Sequence, residues 1–215
     1  DYEDLPAKAV AAMQELGRAY PKAGYGRGFR AWLQSDQPEP YNSFGNGSAM
    51  RVSPVGWAFD TLEETLAEAE RSAAVTHNHP EGIKGAQATA AAIVLARQGA
   101  SQTEIRDALE QRFGYDLHRS YEQIQPPCTF DETCRRSVPE ALICALTGTS
   151  FEDAIRRAVA LGGDADTQAA IAGSVAEALY GGVPADIANE VRARLTPQFL
   201  GILHAFQEKY HVLQI

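Results

Sequence analysis

Two carboxylates one residue apart, Asp164 and Asp166, are followed directly by the hydroxyl of Thr167 and preceded by Gly162 and Gly163. These closely spaced oxygens are hard donors, suited to Mg²⁺, Mn²⁺ or Ca²⁺ rather than to thiolate-seeking metals. The paired glycines permit a sharp backbone turn and leave room for another group to approach. An Ala-rich segment follows, AAIAGS, so the donors stand at the mouth of a helix. A helix start needs only one capping side chain, where an anion also meets the positive end of the dipole. A second unpaired carboxylate would add repulsion. From residue types alone, capping and cation binding both stay open.

Two further segments carry candidate chemistry. In YNSFGNGSAMR, Tyr41 to Arg51, Ser43, Asn46 and Ser48 interleave with Gly45 and Gly47. Such a run can form a backbone nest for phosphate or sugar oxygens, and Arg51 adds a positive fork for a diphosphate. The alternative is a plain surface turn, because Asn-Gly is a common turn pair. In THNHPEG, Thr76 to Gly82, one histidine can bond a ligand while the other is satisfied locally. The rival for His77 and His79 is a zinc site with Cys128 and Cys134. Those cysteines are more widely spaced than a structural zinc site usually requires.

Three stretches, SFGNGSAMRVSPVG (Ser43 to Gly56), VTHNHPEGIKGA (Val75 to Ala86) and GGDADTQAAIAGSVAEALYG (Gly162 to Gly181), occur in this order. Together they resemble the ADP-ribosylglycohydrolase family, the third being the most specific, over nearly all 215 residues. The resemblance implies an all-α fold, a compact orthogonal multi-helix bundle, as a single domain over residues 1–215. It implies two Mg²⁺ (or Mn²⁺) ions at the base of a cleft for ADP-ribose. Asp164, Asp166 and Thr167 would be metal ligands, and Asp164 and Asp166 the catalytic carboxylates. Phe44, Gly45, Asn46, Gly47, Ser48 and Met50 would line the phosphates and proximal ribose. Arg51 would lie near them or brace the loop, with His77 beside the same pocket.

The implied reaction is hydrolysis of the bond from C1″ of the distal ribose to an acceptor, on a protein side chain or a small molecule. The ions would grip ribose hydroxyls and orient a water. The rival is an inactive relative that holds ADP-ribose or serves as a helical structural protein. Family members carry, ahead of this region, a Gly-Asp segment and a Thr-Asp-Asp-Thr segment that completes the metal site. Neither stands in these 215 residues, which are therefore expected to bind metal weakly and hydrolyse poorly on their own.

Helical signals dominate the elements that must position these groups. Periodicity and punctuation predict helices at Lys8–Tyr20, from Thr61 to before His79, and at Gly82–Gln98. Further helices are expected from Ser101 onward and from Ser137, with Pro139 in its first turn. Phe151–Leu161 (opened by Thr149), Asp166–Tyr180, Pro184–Leu195 and a last one opened by Thr196 complete the set. Long irregular stretches are expected at about Ala23–Val55 and Phe113–Glu132. Ala90 to Ala92 and Gly173 predict close helix approach.

Composition bounds the rest. Hydrophobic residues make up 45% and charged residues 22%, as in a globular chain with a sizeable core. The net charge of -9 argues against nucleic acid as a partner. No apolar run approaches the roughly 20 residues of a membrane span, so no membrane role is expected. An odd cysteine count, 3, fits a reducing, cytoplasmic setting.

Overall fold

In the computed structural model, which describes residues 4–125, 130–210 and 212, helices carry the architecture. In order they are α1 Leu5–Ala19, α2 Arg27–Gln34, α3 Gly47–Met50, α4 Ser53–Ala58, α5 Leu62–Ala74, α6 Pro80–Arg97 and α7 Gln102–Phe113. There follow α8 Tyr121–Ile124, α9 Cys134–Thr147, α10 Phe151–Ala160, α11 Ala165–Leu179, α12 Ala185–Arg194 and α13 Pro197–Tyr210. Among the described residues no strand forms, and β-pairing is confined to an isolated antiparallel bridge between Gly45 and Thr133. The all-α expectation is met. No helix among the described residues is long and apolar enough to cross a membrane.

α6 is the axis of the bundle. It packs against α3, α4, α5, α7, α9 and α11, and its alanines at 86, 88, 90, 91 and 92 are all buried. Small side chains let neighbouring backbones approach, and the contact area replaces bulk. At Gly56 of α4 an added Cβ would stand 2.6 Å from Ile93 Cβ, so that backbone lies directly on α6. At Gly85 it would stand 2.5 Å from Cys134 Sγ, which sets the close approach of α6 and α9. Gly173 accommodates the tip of Ile155, whose Cδ1 would be 2.6 Å from a Cβ there. The expected close packing at Ala90–Ala92 and Gly173 is present.

Helix starts follow local capping chemistry. The Thr61 hydroxyl accepts from Glu64 N at 3.2 Å, and Ser101 with Glu104 forms a reciprocal capping box. Four expectations need correction. Ala23–Val55 is not one loop: it holds α2, α3 and the start of α4. α2 is short, and its reason is tertiary: Trp32 and Leu33 are buried, with the Leu33 methyls filling the space beside Gly17. Within the second irregular stretch, Ser120 caps the short α8.

The third correction concerns α9, which begins at Cys134 rather than Ser137. Ser137 N donates to Thr133 O at 3.0 Å, so Ser137 lies inside the helix with its hydroxyl freed for other work. Pro139 is consequently interior, not in the first turn. α10 is likewise capped by Ser150, which accepts from Asp153 N, one residue beyond Thr149. Thr149 instead donates its own N to Asp153 Oδ2 at 2.9 Å.

Candidate functional site

The turn from α10 to α11 needs both glycines. Gly162 has φ 77° and Gly163 φ 67°, left-handed values that a side chain resists. This turn delivers Asp164 to the N-cap position of α11, yet its side chain makes no capping hydrogen bond. Its Oδ2 instead accepts from Asn46 Nδ2 at 2.6 Å, across 118 residues of sequence. Asp166 is exposed, and its Oδ1 accepts from the adjoining Thr167 N at 2.9 Å. Thr167 is buried, with its hydroxyl directed at Met50 Sδ, 3.6 Å away.

Electrostatics mark this corner. Burial raises the Asp164 pKa above the ordinary carboxylate range, the Asn46 hydrogen bond opposes that, and the neighbouring Asp166 carboxylate raises it further. No basic side chain figures among the groups acting on it. Among the described residues, the two carboxylates thus crowd together with no basic side chain acting on Asp164. By chemistry the donor set, Asp164, Asp166 and the Thr167 hydroxyl, fits one side of a hard divalent ion. Among the described residues no third His, Cys, Asp or Glu joins them into a larger metal-binding group.

The glycine-rich loop is pinned on three sides. Asn46 N donates to Glu132 O at 2.8 Å, and Cys134 N donates to Phe44 O at 2.9 Å. These bonds seat Gly45 against Thr133 at the entrance to α9. Asn46 Nδ2 also donates to Ser137 Oγ at 3.0 Å, and Ser137 Oγ donates to Asp131 O at 2.8 Å. Ser48 is buried, its hydroxyl donating to Gly82 O at 2.7 Å. Phe44 and Met50 remain exposed at the rim, 52% and 47%. So Asn46 and Ser48 spend their side chains shaping the loop, and Gly45 is held too, its N donating to Ser43 Oγ at 3.2 Å, whereas the Phe44 and Met50 side chains stay exposed.

Arg51 braces rather than reaches. Its guanidinium donates to Gly47 O at 3.2 Å, Ser72 O at 2.9 Å and Thr76 Oγ1 at 3.1 Å. Of the two places left open for it, the structure selects the brace. Burial lowers its pKa to about 10, with Tyr41 and Cys134 opposing, so it stays cationic at neutral pH. His77 is buried, and burial, helped by the Arg51 charge, lowers its pKa to about 3. A neutral imidazole therefore borders the loop: a Cβ on Gly47 would lie 3.2 Å from His77 Nε2.

The zinc alternative finds no support in this geometry. His79 caps α6, its Nδ1 accepting from Glu81 N at 3.1 Å. Cys134 Sγ donates to Gly45 O at 3.0 Å, and burial pushes its thiol up to about 12, away from the thiolate zinc requires. Cys128 lies outside the described residues.

Sequence reasoning missed Ser137, Thr76 and Gly82. Ser137 read as a cap because Ser-x-x-Glu imitates a capping box. Gly82 leaves the room in which the loop sits, since a Cβ there would be 2.6 Å from Ser43 O. Its place within the Thr76–Gly82 motif was the available signal. A cleft of about 510 Å³ opens nearby, lined by Arg119, Asp131, Thr133, Arg136 and Glu140 among others, and it includes none of the residues expected to bind or catalyse.

Comparison with known proteins points the same way. Residues 3–211 match the family described as ADP-ribosylglycohydrolase. The chain is 30% identical to a bovine (Bos taurus) protein named ADP-ribosylhydrolase ARH3, over 75% of this chain and 60% of that protein. It is 31% identical to the ADP-ribosylarginine hydrolase Tri1 of Pseudomonas putida (strain GB-1), over 68% of this chain and 42% of that protein. A solved structure titled ADP-ribosylglycohydrolase-related protein complex aligns with TM-score 0.61 and 27% identity, covering 84% of this chain and 71% of that one. The chain thus spans about 60% or less of the length of these two curated relatives.

Proposed function

Because the chain belongs to the ADP-ribosylglycohydrolase family, we propose that it carries the ADP-ribose cleft and part of the catalytic centre of a metal-dependent hydrolase of ADP-ribosyl linkages. One observation carries this reading. Asp164 stands where a helix cap belongs, takes no helix amide, and is tied to the glycine loop through Asn46 while crowding Asp166. A cap alone leaves that arrangement unexplained; a counter-ion between the carboxylates relieves it.

A divalent cation held by Asp164, Asp166 and Thr167 would supply a polarised water and positive charge near the anomeric carbon. The chain's own residues do the rest. Asn46 fixes the distance between the acid pair and the loop, so that a sugar bound by the loop presents its distal end to the carboxylates. The loop at Gly45–Gly47 would receive phosphate or proximal ribose, with exposed Phe44 and Met50 at its rim. Arg51 neutralises part of the diphosphate charge from behind the loop. In hydrolysis the water oxygen bonds to C1″, the C1″–acceptor bond breaks, and the acceptor leaves with a proton. Asp164 or Asp166 would receive the proton that water gives up.

The acceptor is the finer question. The Pseudomonas relative is named for ADP-ribosylarginine, so we put that linkage first, with ADP-ribosylserine and O-acetyl-ADP-ribose as comparisons. Titrating Mg²⁺ and Mn²⁺ against these substrates with the full-length protein and measuring released ADP-ribose tests the reading; no release from any of them, with either ion, would sink it. The second reading is an inactive ADP-ribose binder, favoured by the small number of acidic ligands among the described residues. It predicts ADP-ribose binding of equal strength with and without divalent ions.

A further inference from the structure

Thr76 is a buried threonine, fully excluded from solvent, with two polar neighbours on its hydroxyl. Arg51 Nη2 donates to Thr76 Oγ1 at 3.1 Å, and His77 Nδ1 lies 2.7 Å from the same oxygen. A guanidinium can only donate, so the Arg51 contact occupies an acceptor site on the hydroxyl. The hydroxyl hydrogen then needs an acceptor of its own, and His77 Nδ1 is the acceptor within reach. A neutral imidazole carries one N–H and one bare nitrogen. With Nδ1 accepting, the proton must sit on Nε2.

The other ring edge fits this assignment. Nε2 has no protein hydrogen-bond partner among those described, yet it is not one of the sealed, unsatisfied buried atoms. It faces the glycine pair: Cβ atoms on Gly47 and Gly45 would stand 3.2 and 3.8 Å from it. The ring is held in place by burial, by Tyr41 at 6.1 Å between centroids, and by Gly82, where a Cβ would lie 2.9 Å from His77 Cβ.

We propose that Arg51 and Thr76 are positioning residues that lock His77 in its Nε2–H form, presenting a neutral hydrogen-bond donor to an anionic oxygen of the ligand held at Gly45–Gly47. The Arg51 guanidinium, the Thr76 hydroxyl and the His77 ring form one directed chain. Arg51 thereby acts on the ligand twice: through its charge, and through the direction in which the Thr76 hydroxyl points. The identification of the ligand as ADP-ribose rests on the functional reading above; the tautomer does not.

The experiment is nitrogen-detected NMR of the imidazole rings in the full chain, with the His77 signals assigned by their loss in His77→Gln. The wild-type protein is expected to show a bare Nδ1 and a protonated Nε2 near neutral pH. Thr76→Val, which keeps the shape and removes the hydroxyl, is expected to move His77 toward the Nδ1–H form, and Thr76→Ser to restore it. ADP-ribose binding should weaken about tenfold in Thr76→Val, the loss of one charge-assisted hydrogen bond, and recover in Thr76→Ser. A wild-type His77 with its proton on Nδ1 overturns the proposal, with no dependence on how any variant folds. So does an unchanged tautomer in folded Thr76→Val. A correct tautomer in a protein that fails to bind ADP-ribose would instead contradict the functional reading and leave the relay intact.

Discussion

Asp164 and Asp166 sit close together in the chain but in unlike settings. Asp164 is half-buried and bonded to Asn46, whereas Asp166 is exposed and bonded to the next amide. The raised pKa of Asp164 means its ionised form opposes folding at neutral pH. Asp164→Asn, whose side-chain oxygen still accepts from Asn46, is therefore expected to raise the thermal midpoint of metal-free protein while abolishing divalent-ion stabilisation. Asp166→Asn should abolish turnover with the fold intact; far-UV circular dichroism and a melting curve distinguish these outcomes from unfolding. His77 gives a pH signature of its own. Its folded pKa, about 3 against 6.5, favours the neutral form, so its contribution to stability is present above about pH 6.5 and lost as pH falls toward 3. Urea midpoints at pH 7 and pH 5 should fall less in His77→Gln than in wild type. The acidic pair and the histidine were legible as residue types in tight spacing. The role of Ser137 was not, because its partner Asn46 lies 91 residues away and nothing local announces a serine donating to Asp131 O.

Helices α3, α6, α9 and α11 converge on the site, and glycine decides how closely. Gly82 sits where backbone meets backbone, with Ser43 O and His77 O at 2.6 and 3.1 Å from any added Cβ. Gly173 meets only the flexible end of Ile155. The two should therefore respond differently. Gly82→Ala is expected to displace the loop, costing about 1–3 kcal/mol in urea unfolding and weakening ADP-ribose binding as well. Gly173→Leu is expected to cost a similar 1–3 kcal/mol through overpacking while leaving the affinity of the folded fraction unchanged. A reversal, with affinity lost at Gly173 alone, would mean that α11 is tuned by packing rather than by its N-terminal turn. Long helices with strong caps were readable, since Ser101 and Thr61 announce themselves within four residues. The short α2, α3, α4 and α8 were not. Four to eight residues carry too little periodicity, and burial against distant partners such as Gly17 decides their form.

Across the molecule, a small-residue axis in α6 brings the glycine loop, the histidine segment and the α11 turn to one place from widely separated points in sequence. The chain's charge of -9 does not preclude an anionic ligand, because the Arg51 guanidinium supplies local positive charge behind the loop. The fold class and the three motifs were visible in sequence; their mutual contacts, Asn46 to Asp164 above all, required the structure. The central claim is that the acid pair and Thr167 gather a divalent cation against a bound sugar. Electron paramagnetic resonance of Mn²⁺ in the presence of ADP-ribose tests it most directly, because free and protein-held ions differ in signal intensity. Added protein should diminish the free-ion signal, and the Asp164→Asn/Asp166→Asn double variant should restore it. An undiminished signal with wild-type protein, or equal binding by the double variant, would contradict the account.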